Sequence, residues 1–228
     1  MNLLALDTSS NACSVALQVG DQVFEQHVIQ VNQHTRILIP MIRNLLSDAD
    51  IDLQSMDALV LGNGPGSFIG MRIGASVAQG LAFGSKQKIV PVSSMAAVAA
   101  EVMDLHSSTE VIVAQDARMN EVYLGIYRVN GDGLPVADVA EMLQPISPIT
   151  KLDENNSSEW VAAGQGWQRY PALLRLNQSA ISRVVDVHYP KARYLLGLGA
   201  KGWQRGDAIE PENLVPAYIR TKVAERPC

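Results

Sequence analysis

Asp57-Ala58-Leu59-Val60-Leu61-Gly62-Asn63-Gly64-Pro65-Gly66-Ser67-Phe68-Ile69-Gly70-Met71-Arg72-Ile73-Gly74 joins a short apolar run to a longer one through a glycine-rich loop. Residues 57–61 are short, apolar and bounded by glycine, which predicts a buried strand; residues 68–83 carry helical spacing and predict a helix. Ser67 stands at the natural N-cap. A helix starting there turns the amides near Phe68 and Ile69 toward the loop, a geometry suited to a phosphate or carboxylate. The stretch is not a P-loop, because no Gly-Lys-Ser/Thr follows and no lysine lies nearby. Gly64, Pro65, Gly66 and Ser67 therefore read in two ways, as an anion cradle or as the tight turn that launches and caps the helix. Gly70, Gly74, Ala78 and Ala82 recur every fourth residue and form one stripe of small side chains. Each glycine costs a helix about 1 kcal/mol against alanine, so the stripe predicts close approach of another helix.

The chain has 228 residues, enough for one large domain or two small ones with a substantial core. Eighteen basic against 23 acidic residues leave a net charge of -5, with no lysine or arginine run, which argues against strong nucleic-acid binding by this chain alone. Cys13 and Cys228 form no disulfide framework or metal spacing, as expected in a reducing compartment. The chain opens directly on Leu3-Leu4-Ala5-Leu6-Asp7, without a basic leader, and no apolar run reaches membrane-spanning length. A soluble cytoplasmic protein with no membrane association is expected.

Residues 2–7 predict a buried strand, and residues 14–19 and 23–29 alternate around Gly20-Asp21 as a hairpin. Residues 33–49 predict a helix whose apolar arc (Ile37, Leu38, Met41, Ile42, Leu45, Leu46) is too wide for one buried side, with Pro40 expected to kink it or delay its start. After the glycine-striped helix come a strand at 88–92 and an alanine-rich helix at 94–103. The pattern is partly echoed from residue 110: a strand at 111–116 ends in Asp116 as the first ends in Asp7, and residues 121–129 return antiparallel to it. Residues 130–133 predict a turn, 153–159 a polar loop, and 191–204 a further helix. The order implies an α/β fold of two lobes, 1–106 and 107–228, of related βββαβαβα topology, each a mixed sheet covered on both faces, with the second lobe reduced.

Asp7-Thr8-Ser9-Ser10 sets a carboxylate and three hydroxyls at the end of the first strand, where actin-like ATPases and sugar kinases orient metal-bound water and clasp phosphate; an Asx or Ser turn closing the strand is the plainer reading. Asp116-Ala117-Arg118 is its second-lobe counterpart, but alanine and arginine replace the glycines a phosphate clasp wants. His34 lacks a partner four residues on, and histidines at 27, 34, 106 and 188 are too scattered to predict a metal site. Ser67 sits in no Gly-x-Ser-x-Gly elbow. Gly197-Leu198-Gly199-Ala200-Lys201-Gly202 matches a dinucleotide pattern by letter but falls inside a predicted helix.

Several segments together resemble the TsaB (YeaZ) family of the actin/hexokinase/Hsp70-like (ASKHA) superfamily: Leu4-Ala5-Leu6-Asp7-Thr8-Ser9, His34 leading to Leu38-Ile39-Pro40, Gly64-Pro65-Gly66-Ser67-Phe68, Arg72-Ile73-Gly74, Gln79-Gly80-Leu81-Ala82, Asp116-Ala117-Arg118-Met119-Asn120-Glu121-Val122-Tyr123, Gly164-Gln165-Gly166-Trp167 and Pro216-Ala217-Tyr218-Ile219-Arg220. Ile69 stands where that family usually has threonine, and Met71 where it has valine. The resemblance implies a non-catalytic partner in forming the threonylcarbamoyl group on adenosine-37 of tRNAs that read codons beginning with adenine. The transferase would be TsaD and the ATPase TsaE, with tRNA met only through the complex and a homodimer formed when TsaD is absent. It implies no catalytic residue, no metal and no cofactor of its own, with ATP or ADP held weakly or at an interface shared with partners, and vestigial phosphate loops at Asp7, Thr8, Ser9, Asp116 and Arg118. It also places a helical interface on His34, Ile37, Met41, Ile42 and Leu45 together with Gly70, Met71, Gly74 and Ala78. The alternative is a small-molecule phosphotransferase of the same superfamily; a peptidase finds no supporting constellation.

Overall fold

Leu3, Leu4, Ala5 and Leu6 are fully buried, so the opening strand needs cover on both faces, and the rest of the chain supplies it. The computed structural model describes residues 1–30, 32–149 and 160–220; the polar loop expected at 153–159 and Cys228 lie outside them. The first sheet is built from β1 (Leu3–Asp7), β2 (Ala12–Val19), β3 (Gln22–Ile29), β4 (Ala58–Gly62) and β5 (Ile89–Val92) in the order β3-β2-β1-β4-β5. The β1–β2–β3 meander is antiparallel, and β4 and β5 add on in parallel. In register, Leu3 pairs with Ala58 and Leu6 with Leu61, so β1 and β4 end side by side. The Asp7 loop and the glycine-rich loop consequently leave the sheet at the same edge. Between these strands lie α1 (His34–Asp48), α2 (Phe68–Ser85) and, after β5, α3 (Ser94–His106).

The second sheet repeats the plan. Its strands β6 (Glu110–Asp116), β7 (Glu121–Val129), β8 (Pro135–Ala137), β10 (Trp160–Ala163) and β11 (Ile181–Val184) run in the order β11-β10-β6-β7-β8, with β9 (Met142–Pro145) also on β7. The helices α4 (Gln165–Arg169), α5 (Pro171–Asn177) and α6 (Ala192–Arg205) complete it. Among the described residues no helix stands between β9 and β10, where the first lobe has α1. This is the ASKHA-like α/β architecture with mixed sheets, the second lobe being the smaller in helices.

The first sheet ends with β5 and the second begins with β6, but the helices do not follow that division. Met95, Val98 and Val102 of α3 pack with Val111, Val113, Tyr127 and Val161 of the second sheet. Ala192, Leu195 and Leu196 of α6 return to Leu3, Ala5, Val60 and Val90 of the first. Each lobe is thus closed by the other half of the chain. The glycines of α6 make that return possible: a Cβ at Gly199 would lie 2.4 Å from a methyl of Val60 and one at Gly202 2.8 Å from a methyl of Val90. The dinucleotide-like letters therefore belong to helix–sheet packing.

Helix α1 runs through Pro40 without a later start, because Pro40 and Arg36 are exposed and the carbonyl left without an amide faces water. Its wide apolar arc is used largely at home: Leu38, Met41, Ile42 and Leu45 join the core beneath β2. Substitution of Gly199 by leucine is expected to destabilise the protein by about 1–3 kcal/mol through overpacking. Gly197→Ala, where a Cβ meets only Leu134 at 3.6 Å, should be neutral or stabilising by about 1 kcal/mol or less. Urea titration followed by circular dichroism measures both.

Candidate functional site

The loop between β1 and β2 lies on the floor of a cleft of about 910 Å³ between the lobes, walled by Ser9, Ser10, Phe68, Asp116, Arg118 and Tyr218 among others. Its polar groups are committed to one another. The Ser9 amide and hydroxyl donate to Asp7 Oδ1 at 2.9 and 2.8 Å, the Thr8 hydroxyl donates to the Gly70 carbonyl at 2.7 Å, and the Ser67 amide donates to the Ser9 carbonyl at 2.6 Å. His34 Nε2 donates to the Ser10 carbonyl at 3.0 Å, and burial lowers the pKa of the ring.

The glycines form the mould for this loop. A Cβ at Gly62 would lie 1.9 Å from Asp7 Oδ2, at Gly66 2.2 Å from the Ser9 carbonyl, at Gly70 2.0 Å from the Thr8 carbonyl, and at Gly74 2.5 Å from the Thr8 hydroxyl. Gly64 meets the Ser94 amide in the same way, at 2.5 Å. Ser67 caps α2, its hydroxyl accepting from the Gly70 amide at 3.2 Å. Of the two readings of residues 64–67, the structure supports the tight turn that packs on its neighbours. Asp7 is 1% exposed, and burial pushes its carboxyl up to about 6 against the Ser94 hydroxyl and the Ser9 donors. Its Oδ2 is buried without a hydrogen-bond partner.

In the second lobe, Asp116 Oδ1 accepts from the Arg118 amide and the Tyr170 hydroxyl, both at 2.8 Å, and its other oxygen lies 3.4 Å from the Arg118 guanidinium. Arg118, Met119 and Asn120 hold φ of 65°, 55° and 57°, a left-handed turn of three residues with side chains. This is not the glycine-lined amide cradle that a polyphosphate requires. Ser9, Asp116 and Arg118 line the two sides of one cleft, with Asp7 and Thr8 buried beneath it; Asp7 Oδ2 is left without a hydrogen-bond partner and the Arg118 side chain is 75% exposed. Among the described residues no three His, Cys, Asp or Glu side chains gather as a metal site.

The interface expected from the sequence requires correction. Gly70, Met71, Gly74 and Ala78 are buried within their own lobe, the glycines on Thr8; His34, Met41, Ile42 and Leu45 are buried too, and only Ile37 is partly exposed. Gly70 and Gly74 of the small stripe face the Thr8 loop and the sheet, while Ala78 and Ala82 share the core with α1. The opposite face of α2 is open and carries a second small stripe, Ser76, Gly80 and Gly84, where a Cβ at either glycine would meet nothing within 4 Å. Around it stand Ile69, 69% exposed, Phe83, 78% exposed, and the partly exposed Ile73 and Val77. The cleft residues Tyr218 and Arg220 have no role in the sequence reading, nor do Asn63 and Arg72; the signal for the first two is their place in the segment Pro216-Ala217-Tyr218-Ile219-Arg220.

Residues 28–227 match a family profile described as TsaD, tRNA N6-adenosine threonylcarbamoyltransferase. The chain is 34% identical over 228 residues to the tRNA threonylcarbamoyladenosine biosynthesis protein TsaB of Haemophilus influenzae, covering 98% of this chain and 95% of that one. The chain belongs to the TsaB (YeaZ) family. The TsaB protein of Escherichia coli is 33% identical over 224 residues, with 98% and 96% of the two chains covered. The solved structure of YeaZ from Pseudomonas aeruginosa covers 95% of this chain and 99% of its own, at 34% identity and a TM-score of 0.88. The family match thus spans both lobes, including both cleft loops and the open face of α2.

Asp7 yields a pH signature. Its folded pKa of about 6 lies above the ordinary 3.8, so the native state binds the proton more tightly and the group's contribution, full below pH 3.8, is lost as pH rises through 6. The shift corresponds to about 3 kcal/mol. Asp7→Asn should therefore gain stability relative to wild type between pH 4 and 7.5, by up to that amount, in urea titrations at a series of pH values.

Proposed function

We propose that the protein is a non-catalytic partner subunit in tRNA threonylcarbamoyladenosine formation. It acts beside a TsaD-type transferase and a TsaE-type ATPase in the cytoplasm, meets tRNA through that assembly, and pairs with itself when the transferase is absent. The observation that carries this reading is the open face of α2. Ser76, Gly80 and Gly84 leave its backbone bare among Ile69, Ile73, Val77 and Phe83, a surface that lets a helix of a related subunit approach closely. The names borne by its relatives, biosynthesis proteins of this tRNA modification, supply the pathway. The internally bonded cleft loops support a subunit without chemistry of its own, and nucleotide, if present in the assembly, belongs to a shared interface.

The test is reconstitution of tRNA modification with TsaD and TsaE, with and without this chain; full activity without it overturns the proposal. Gly80→Leu and Phe83→Asp change only the open face, so neither should destabilise the fold, and Gly80→Leu should raise the thermal melt by about 2–4 °C through helix propensity, while each weakens TsaD capture and self-association at least tenfold, on the order of 1.4 kcal/mol. Sedimentation and pull-down read both. Gly74→Leu and Ile42→Asp are unsuitable probes, since they strike Thr8 and the core. The phosphotransferase alternative draws on the cleft's size and on Arg118 and Arg169 in its wall; micromolar binding of Mg-ATP by titration calorimetry would favour it.

A further inference from the structure

After α6 the chain makes a short 3-10 turn at Pro211–Asn213 and then runs without regular structure over residues 214–220. Its first part is fastened to the first lobe. Gln79 donates to the Pro211 carbonyl at 2.9 Å, and Leu214 enters the core with 5% exposure. Asn63, in the loop after β4, grips the backbone with both ends of its amide: Nδ2 donates to the Val215 carbonyl at 3.0 Å and Oδ1 accepts from the Ala217 amide at 3.2 Å. Arg72 donates to the Tyr218 hydroxyl at 2.9 Å, with its guanidinium 3.7 Å from the centre of the Phe68 ring.

Two residues further on, the same segment is fastened to the second lobe. Ile219 packs on the core of that lobe. Arg220 donates to the Ala117 carbonyl at 2.9 Å and forms an ion pair with Glu121 at 2.6 Å, its side chain only 16% exposed. Those two partners flank the left-handed turn of Arg118, Met119 and Asn120. Such a conformation costs roughly 1–2 kcal/mol per residue with a side chain and persists where its surroundings over-determine it. From Ala217 to Arg220 the backbone reaches at most about 11 Å. The lobes therefore cannot separate along this wall of the cleft unless one of the two fastenings lets go.

We infer that residues 214–220 are a latch that holds the two lobes closed across the cleft, with Asn63 and Arg220 as its two catches. The inference rests on the bonding of this segment and not on the partner role proposed above. The packed pair α3 and α6 joins the lobes in any case, so releasing the latch opens the cleft without unfolding either lobe.

The experiment measures the distance between spin labels at Ser47→Cys and Arg175→Cys, exposed positions on α1 and α5, in a Cys228→Ser chain diluted with unlabelled protein. Wild type should give one narrow distribution. Arg220→Ala and Asn63→Ala, which act on opposite ends of the segment, should each broaden it and move it to longer distance, and the double variant should resemble either single one. Hydrogen exchange should quicken at the Ala117 and Glu121 amides, which close the left-handed turn. Distributions unchanged in both single variants, or effects that add in the double variant, overturn the latch. Should Arg220→Ala fail to fold, Glu121→Gln weakens the same catch without altering the segment, and an unchanged distribution there counts equally against it.

Discussion

The Asp7-Thr8-Ser9 loop sits so close to four glycines, Gly62, Gly66, Gly70 and Gly74, that no larger residue fits at any of them without displacing backbone, the Thr8 hydroxyl or a buried carboxylate. That contact sets how α2 lies on β1 and β4, and hence which face of the helix is consumed by the lobe and which is left outside. The sequence cost is considerable, since Gly70 and Gly74 lie within α2 and each lowers helix propensity by about 1 kcal/mol. The loop's hydrogen bonds and the close packing they permit offset it. The His34 bond to the Ser10 carbonyl reinforces the same loop.

The same contact closes the chemistry. A phosphate clasp needs amides that point away from their own side chains, yet the Ser9 amide is turned onto Asp7 and the Ser67 amide onto Ser9. Across the cleft the corresponding turn carries arginine, methionine and asparagine in left-handed conformation, and Asp116 is held by Tyr170. What the cleft still presents to solvent is the Arg118 guanidinium, 75% exposed in its wall.

The first lobe was legible in the sequence because its signals are local. Strands β1 to β4 are short apolar or alternating runs, Gly20 marks the hairpin and Gly62 the end of β4, and Ser67 is a recognisable helix cap. The strands β8 to β11 were not legible, since three or four residues carry too little alternation to read. The stripes of α2 show a different limit. Residues 70, 74, 78 and 82 and residues 76, 80 and 84 are both small and regularly spaced, and periodicity alone does not say which set meets the sheet. Contacts with Thr8, 62 residues distant from Gly70, decide it. The exchange of α3 and α6 between the sheets and the seating of Tyr218 and Arg220 are likewise matters of distant contacts.

The two stripes also explain why a helix this poor in large side chains is worth keeping. With glycine on the inner face alone, the outer face would be free to carry alanine or charged residues, which favour a solvent-exposed helix. Instead Gly80 and Gly84 stand in open space and Phe83 is exposed beside them, an arrangement that weakens the isolated monomer twice over, through helix propensity and through apolar surface left in water. Neither cost is recovered by a contact among the described residues. A second helix laid across Ser76, Gly80 and Gly84 recovers both, because bare backbone permits a close approach and Ile69, Ile73, Val77 and Phe83 then lose their water together. The inner glycines seat the Thr8 loop against the helix; under the proposed function the outer ones form half of an interface.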